Sequence, residues 1–156
     1  MQMDDMEYAG FWARLGATAI DSVLLLLITF PLTIAIYGWA YLQQTDVFSV
    51  AGPWDVIINW LAPAVATVLF WRFWNASPGK MALRLQVLDA RTGGAMSTGQ
   101  AIGRYFAYLA SGIPLFLGFV WIAFDPRKQG WHDKLASTVV VRAKQRGPEP
   151  VRFESR

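Results

Sequence analysis

The sequence predicts an all-α integral membrane protein with three to four transmembrane helices and a small β-ribbon at the cytoplasmic interface. Three observations lead there. Of the 156 residues, 54% are hydrophobic and only 16% charged, and 8 are Trp, too apolar a balance for a soluble domain of this length. Three stretches are long enough to cross a hydrocarbon core, which takes about 20 apolar helical residues. Two shorter runs carry the alternation or the β-branched character of strands.

The elements follow in order. Residues 1–10, "MQMDDMEYAG", are acidic where a secretory leader would be basic, so they read as a cytoplasmic segment ahead of a retained anchor. The first apolar run covers residues 11–42, with Pro31 as a kink point. The second covers residues 56–74, with Trp54, Trp60, Trp71 and Trp74 near its ends, where aromatic belts sit. The third covers residues 98–124 and is interrupted at Ser111-Gly112-Ile113-Pro114.

Charge sets the expected orientation. Residues 43–55 contain no Lys or Arg but carry Asp46 and Asp55, whereas residues 75–104 carry Lys80, Arg84, Arg91 and Arg104. The stretch from Asp125 onward holds eight Lys and Arg against four acids. Basic loops stay in the cytoplasm, so the middle loop and the tail belong inside and residues 43–55 outside. A straight third helix would carry the tail outside, whereas a turn at Gly112-Ile113-Pro114 would bring it back. The four-segment arrangement therefore agrees better with the charges, and the three-segment one is its alternative.

Between the second and third runs, Ser77 followed by Pro78 has the form of an N-cap and first helical position. Leu83, Leu85 and Val87 then alternate with Arg84 and Gln86 as in a strand, residues 91–94 read as a turn, and Ser97 is placed to cap the next helix. A second β-branched run, "STVVVR", occupies residues 137–142. The two runs are expected to pair as an antiparallel ribbon, with an amphipathic interfacial helix as the competing reading. Residues 143–156 are polar and Pro-containing and read as a tail.

The charged residues inside apolar runs carry the functional question. Arg14 and Asp21 are seven apart, hence on one helical face and about 10.5 Å apart along the axis, too far for direct contact. Arg14 lies near the helix entry, where its side chain can snorkel. Asp21 lies about 15 Å into a core about 30 Å thick, where an aspartate costs about 2.5–3.5 kcal/mol on insertion scales. It is expected to face the bundle and to take a basic or hydroxyl partner from another segment. Arg104 is the first candidate because a guanidinium can hold a carboxylate with two hydrogen bonds; Tyr105, Tyr108, Lys134 and Thr138 are the others. Asp21 is thus a transport site or a structural lock between helices. His132, the only histidine, stands beside Asp133 and is either a proton relay or a packing residue. Lys80, Arg84, Arg104, Arg127 and Lys128 are expected to form a basic collar on anionic lipid headgroups. Gly16, Ala17, Ala13 and Ser22 give the first helix a small-residue face that allows association between copies.

Several function classes lack their parts. There is no HExxH, Walker loop, GxSxG or second histidine, and no cysteine for a thiolate, disulfide or metal site, so the sequence implies no enzyme and no cofactor. The net charge of +3 follows the membrane flanks, which argues against nucleic-acid binding.

Three segments, "YAGFWARLGATAIDSVLLLLI", "SPGKMALRLQVLDARTGGAMSTGQAIGRY" and "DPRKQGWHDKLASTVVV", occur in an order that resembles the RDD family of small bacterial membrane proteins. The resemblance implies a membrane domain over residues 11–142. It implies that Arg14 and Asp21 are the family's first two named residues, and that Asp133 is the third, with Asp125 as the alternative. Arg84 and Ser137 stand where members often have glycine. The resemblance also implies transport of an unidentified ligand. From it and the residues together come two expectations. One is a small ion- or proton-coupled transporter of the bacterial inner membrane that works as a homo-oligomer among membrane lipids, using Asp21, Asp133 and His132. The other is a non-transporting scaffold or accessory subunit whose Arg and Asp residues are structural.

Overall fold

The computed structural model describes residues 6–43, 50–112 and 116–144. The chain runs through β1 (Met6–Tyr8), α1 (Phe11–Tyr37), α2 (Pro53–Trp74), α3 (Pro78–Ala82), β2 (Leu85–Asp89), α4 (Thr98–Gly112), α5 (Leu117–Val120), α6 (Trp131–Leu135) and β3 (Thr138–Ala143). Helices α1 and α2 are each long and apolar enough to cross a bilayer, and the α4–α5 pair counts as a third crossing if taken as one broken span. The apolar side chains of α1 from Val23 to Ile28 are exposed, as lipid-facing positions are.

The interruption in the third run is a bend of 109° between residues 98–112 and 117–123. Ile113 and Pro114, where the turn was expected, lie outside the described residues. Beyond the bend, α5 and the 3₁₀ turn Trp121–Ala123 are together only about 10 Å long, far short of a hydrocarbon core. A fourth full span is therefore absent among the described residues, and the bent pair has the form of one broken span or a re-entrant segment. Residues 145–156, expected as a tail, and residues 44–49 of the predicted outer loop also lie outside the described residues. Helix α1 runs on through Pro31 to Tyr37, and α2 contains a π-helical turn at Ile57–Leu61.

The expected ribbon is present, and it is a sheet of three strands in the order β1-β3-β2, with both pairs antiparallel. The third strand comes from Met6–Tyr8, within the stretch read from sequence as a leading segment. One face of the sheet packs on the helices through Leu85, Val87 and Val140, which join Ala9, Ala17, Trp71, Met96 and Ala101 in the buried core. Ser97 caps α4 as expected, in a box with Gln100: the Gln100 N–H donates to Ser97 Oγ at 3.2 Å and the Ser97 N–H to Gln100 Oε1 at 2.8 Å.

Two segments share one design. In each, a five-residue helix (α3 or α6) leads through two residues into a strand (β2 or β3), and the second linking residue is left-handed, Arg84 at φ 55° and Ser137 at φ 52°. Glycine adopts that conformation without penalty, so both positions are ones that a glycine would suit. The ladder pairs Val87 with Val140 and runs symmetrically outward from them, from Leu85 with Arg142 to Asp89 with Thr138. The two helix-strand units are thus related by a local pseudo-twofold axis.

Candidate functional site

Helix α1 holds both units, one with each of its charges. Arg14, 6% exposed, reaches the α6 unit: its Nη1 donates to Asp133 Oδ2, its Nη2 to the Lys128 carbonyl at 2.5 Å, and its Nε to the Ala9 carbonyl at 3.0 Å. Two turns on, Asp21 reaches the α3 unit. It accepts from the Ser77 hydroxyl at 2.5 Å and from the Gly79 N–H at 2.6 Å. Both residues stay on one helical face, as their spacing requires.

Asp133 is fully buried and is the centre of the first cluster. Besides Arg14 it accepts from Arg104 Nη2 at 2.5 Å and from the Gly130 N–H at 3.0 Å, so α1, α4 and α6 converge on one carboxylate. Burial alone would raise its pKa, but the guanidinium groups of Arg104 and Arg14 override burial and hold the carboxyl well below the usual range. His132 lies beside it, with Nε2 3.6 Å from Asp133 Oδ1. Its ring stacks on Tyr108 at 4.3 Å and packs against Phe119 at 5.0 Å, while Nδ1 lies 3.0 Å from the Ser111 hydroxyl. The tautomer with the proton on Nε2 suits both neighbours, directing N–H toward the carboxylate and leaving Nδ1 to accept from Ser111. Burial lowers the His132 pKa to about 3, with Asp133 opposing and Arg104, Arg14 and Lys80 reinforcing the shift. The imidazole is neutral at ordinary pH. Close approach of α5 to α4 makes this packing possible, since a Cβ on Gly118 would meet the Ser111 Cα at 2.6 Å.

The second cluster corrects the expected partner of Asp21. Arg104 is occupied by Asp133 and stacks over Trp71 at 5.0 Å; Lys134 pairs with Asp125; Thr138 is buried at the start of β3. The partner is a hydroxyl together with a backbone N–H. Ser77 gives its side chain to Asp21, and no side-chain cap bond closes α3. Gly79 is fixed at its position because a Cβ there would lie 2.1 Å from the Ala17 carbonyl oxygen. The small residues of α1 are therefore used within the chain: Ala17 is fully buried and Gly16 lies against Leu83. Of the other two, Ala13 is half-buried and Ser22 is exposed.

The lipid collar is also revised. Lys80, 6% exposed, points inward, donates to Ser77 Oγ at 3.2 Å and sits 5.8 Å from the Trp71 ring. Arg104 is buried in the core. Arg84 and Arg127 are exposed, and the half-buried Lys128 reaches the Ala123 carbonyl at 2.9 Å. Asp125 turns the loop before α6. It accepts from the backbone N–H groups of Arg127 at 3.0 Å and Gln129 at 3.1 Å and pairs with Lys134. Burial opposes these contacts, but together they lower its pKa.

Asp21, Ser77 and Lys80 form the floor of a cavity of about 310 Å³ between α1 and α2, with Trp71 and Tyr108 beside them. Leu24, Leu25, Ile28, Ala66 and Phe70 make its walls. Sequence reasoning missed the parts played by Ser77, Gly79, Trp71 and Ser111; of these only "SPG" carries a visible signal, a glycine where α3 begins. Among the described residues no group of three or more His, Cys, Asp or Glu could hold a metal ion.

The family model for the RDD family matches residues 8–137. The chain belongs to the RDD family. The uncharacterized protein YxaI of Bacillus subtilis is 33% identical over 147 residues, covering 85% of this chain and 96% of its own. The uncharacterized membrane protein YteJ of the same organism is 26% identical over 144 residues, covering 88% of this chain and 82% of its own. A segment of the uncharacterized protein RP437 of Rickettsia prowazekii is 34% identical over 76 residues, about half of this chain and 42% of its own. No solved structure matches. Of the residues that the resemblance assigned to the family's name, Arg14 and Asp133 bind each other and Asp21 binds the opposite unit, while Asp125, the alternative to Asp133, pairs with Lys134.

Proposed function

We propose that this RDD protein is a small carrier of the bacterial inner membrane, working as an oligomer, in which Asp21, Ser77 and Lys80 receive the ligand and Arg14, Arg104 and Asp133 hold the fold. The observation that carries the reading is the cavity floor: a carboxylate and an ammonium bridged by one hydroxyl, at the base of otherwise apolar walls that open between two apolar helices. Pockets that bind ligands commonly combine apolar walls with a few convergent polar groups. The other carboxylate is unsuited to exchange, because Asp133 is fully buried and pinned by two guanidinium groups. His132 is unsuited as a relay near neutral pH, since it stays unprotonated there. The basic residues at the sheet end support a cytoplasmic orientation for that end.

A scaffold is favoured by one specific observation, that both oxygens of Asp21 already have partners inside the chain. Reconstitution separates the two readings. Purified full chain in vesicles with a trapped pH dye, under imposed proton and monovalent salt gradients, is expected to give a flux that Asp21→Asn removes while the melting temperature falls only slightly. Absence of any protein-dependent flux across these gradients, with the folded oligomer verified in the same vesicles, would leave the scaffold.

A further inference from the structure

The charges around the cavity do not balance. Lys80, Arg104 and Arg14 are buried cations, and Asp21 and Asp133 are the carboxylates that answer them, while His132 stays neutral. Asp133 is shared by two guanidinium groups, so Lys80 is left with Asp21. It reaches that carboxylate only through Ser77, and its single hydrogen bond among the described residues goes to the Ser77 hydroxyl. Among the described residues no carboxylate lies within ion-pair distance of the Lys80 ammonium. An ammonium taken out of water without an anion at contact is costly.

Hydrogen-bond donors around Trp71 are likewise in surplus. The Trp71 indole N–H, and Nε and Nη1 of Arg104 stacked on it, are buried without an acceptor among the described residues. Among the described residues only Asn75 Oδ1 and Thr138 Oγ1 stand as buried side-chain oxygens in the same condition. The field at the cavity floor is therefore positive, from Lys80 in its lining and from Arg104 behind Trp71. Asp21 weakens that field but does not cancel it, since two carboxylates, Asp21 and Asp133, stand against the three buried cations.

The cavity's shape supplies the rest. Its polar floor lies level with Asp21, which docks on α3 just before the exposed apolar run of α1 that begins at Val23, and so stands at the sheet-side end of that run and not midway through the core as its count from Phe11 placed it. The α1 wall residues Leu24, Leu25 and Ile28 follow three to seven positions later, about 5–10 Å farther along the helix axis toward the bilayer interior. These three side chains are 40%, 42% and 61% exposed, so this wall is continuous with the lipid-facing surface of α1. A volume of about 310 Å³ is at the small end for a ligand pocket and too small for a two-chain lipid. It suits a headgroup with the first part of one chain, the remainder staying in the bilayer.

We propose that the cavity between α1 and α2 takes an acidic lipid of the leaflet on the sheet side, with its phosphate headgroup on Lys80 and an acyl chain along Leu24, Leu25, Ile28 and Phe70. This deepens the carrier reading and rests on its assignment of the cavity as the ligand site. The lipid differs from a headgroup held by an exposed basic collar: the contact is one buried ammonium, and the chain position is fixed by a wall.

Native mass spectrometry of the full chain in detergent, titrated with phosphatidic acid or phosphatidylcholine of identical chains, tests it. Phosphatidic acid is expected to be retained at least about fivefold more tightly, the scale of one lysine near an anionic headgroup. Lys80→Gln should abolish the preference and Lys80→Arg should keep it. Ala66→Phe, which narrows the wall without touching a charge, should weaken retention of the bound lipid at an unchanged melting temperature, and it carries the test if Lys80→Gln does not fold. Equal retention of the two lipids would overturn the proposal. So would a preference that survives both Lys80→Gln and Ala66→Phe, which would place the lipid on the exposed arginines. Displacement by inorganic phosphate at equal concentration would overturn it in favour of a free anion. Retention of phosphatidic acid with no flux in vesicles would remove the carrier reading and leave the lipid site standing.

Discussion

Each end of the helix pair buries a carboxylate, and the two are neutralised in different ways. At the sheet end, Asp133 meets two guanidinium groups from separate helices. About 40 Å of α1 separates its Arg14 end from its Tyr37 end. There Asp55, 3% exposed, accepts from the Tyr41 hydroxyl at 2.8 Å, from Asn59 Nδ2 at 2.7 Å and from the Ala51 N–H at 3.2 Å. Among the described residues none of its partners is a cation. Asp55 stands in the first turn of α2, where the helix dipole favours a negative charge, and neutral donors complete its shell. Asp133 also stands in a first turn, but of a five-residue helix, whose dipole is small. The contrast teaches where this fold needs countercharge. A long helix satisfies its own acidic first residues with local donors. A short helix that must be fastened to two others uses ion pairs that reach across the chain.

The largest expected effect is at the sheet end. Replacing Asp133 with Leu leaves Arg14 and Arg104 buried without their anion, and breaking a buried pair from one side costs about 3–5 kcal/mol. Thermal unfolding in detergent is expected to register that loss, or the protein to fail to accumulate. Asp133→Leu with a melting temperature close to the parent's would show that the cluster is not what fastens α6 to α1 and α4.

How much of this was legible in the sequence depends on the distance over which each interaction acts. The membrane class, both long helices, the break in the third and the two longer strands follow from hydropathy and local pattern, and all of them are present. Strand β1 was not read because three residues at an acidic terminus carry too little periodicity, and its pairing with β3 spans almost the whole chain. The depth of Asp21 predicted that it would need a partner, and a hydroxyl was among the partner types expected. Which residue supplies that partner could not be read, because the pairing depends on how α3 docks against α1. For the same reason Lys80 read as a surface lysine: a short basic loop looks alike whether its lysine turns toward lipid headgroups or under a tryptophan. The left-handed positions at Arg84 and Ser137 were marked by a departure from glycine, but the pseudo-twofold relation between their units is visible only in the strand register.

A second expected effect separates the two ends by pH. In the folded chain His132 has a pKa near 3, against 6.5 when unperturbed. The unfolded state therefore binds a proton that the folded state refuses. Stability should fall as pH drops below about 6.5 and go on falling until about pH 3, by about 1–2 kcal/mol between pH 7 and pH 5. The pinned Asp133 acts at lower pH: its depressed pKa gives stability that is present above the unfolded carboxyl value and is lost below it. His132→Phe keeps the stacking on Tyr108 and Phe119 and should flatten the melting-temperature profile between pH 7 and pH 5. An equally steep profile in that variant would assign the sensitivity to another group.

The smallest effects set the far end beside an ion pair of the sheet. Tyr41→Phe removes one neutral donor from Asp55 and leaves Asn59 and the Ala51 N–H in place, so the carboxylate stays partly satisfied. A single hydrogen bond to a charged group contributes about 1.5–3 kcal/mol, and the half-buried position of Tyr41 puts the expected cost at or below the lower end of that range. Because no cation is involved among the described residues, the loss should be the same in low and high salt. The half-buried ion pair of Arg142 and Glu7 across β1 and β3, at 2.6 Å and still reached by solvent, gives the opposite response, a contribution of at most about 1 kcal/mol that fades as salt screens it. Melting curves of Tyr41→Phe and Glu7→Gln at two salt concentrations therefore test the comparison directly. A salt-dependent loss in Tyr41→Phe would mean that Asp55 is held by charge after all, and the two ends of the molecule would then share one way of burying an aspartate.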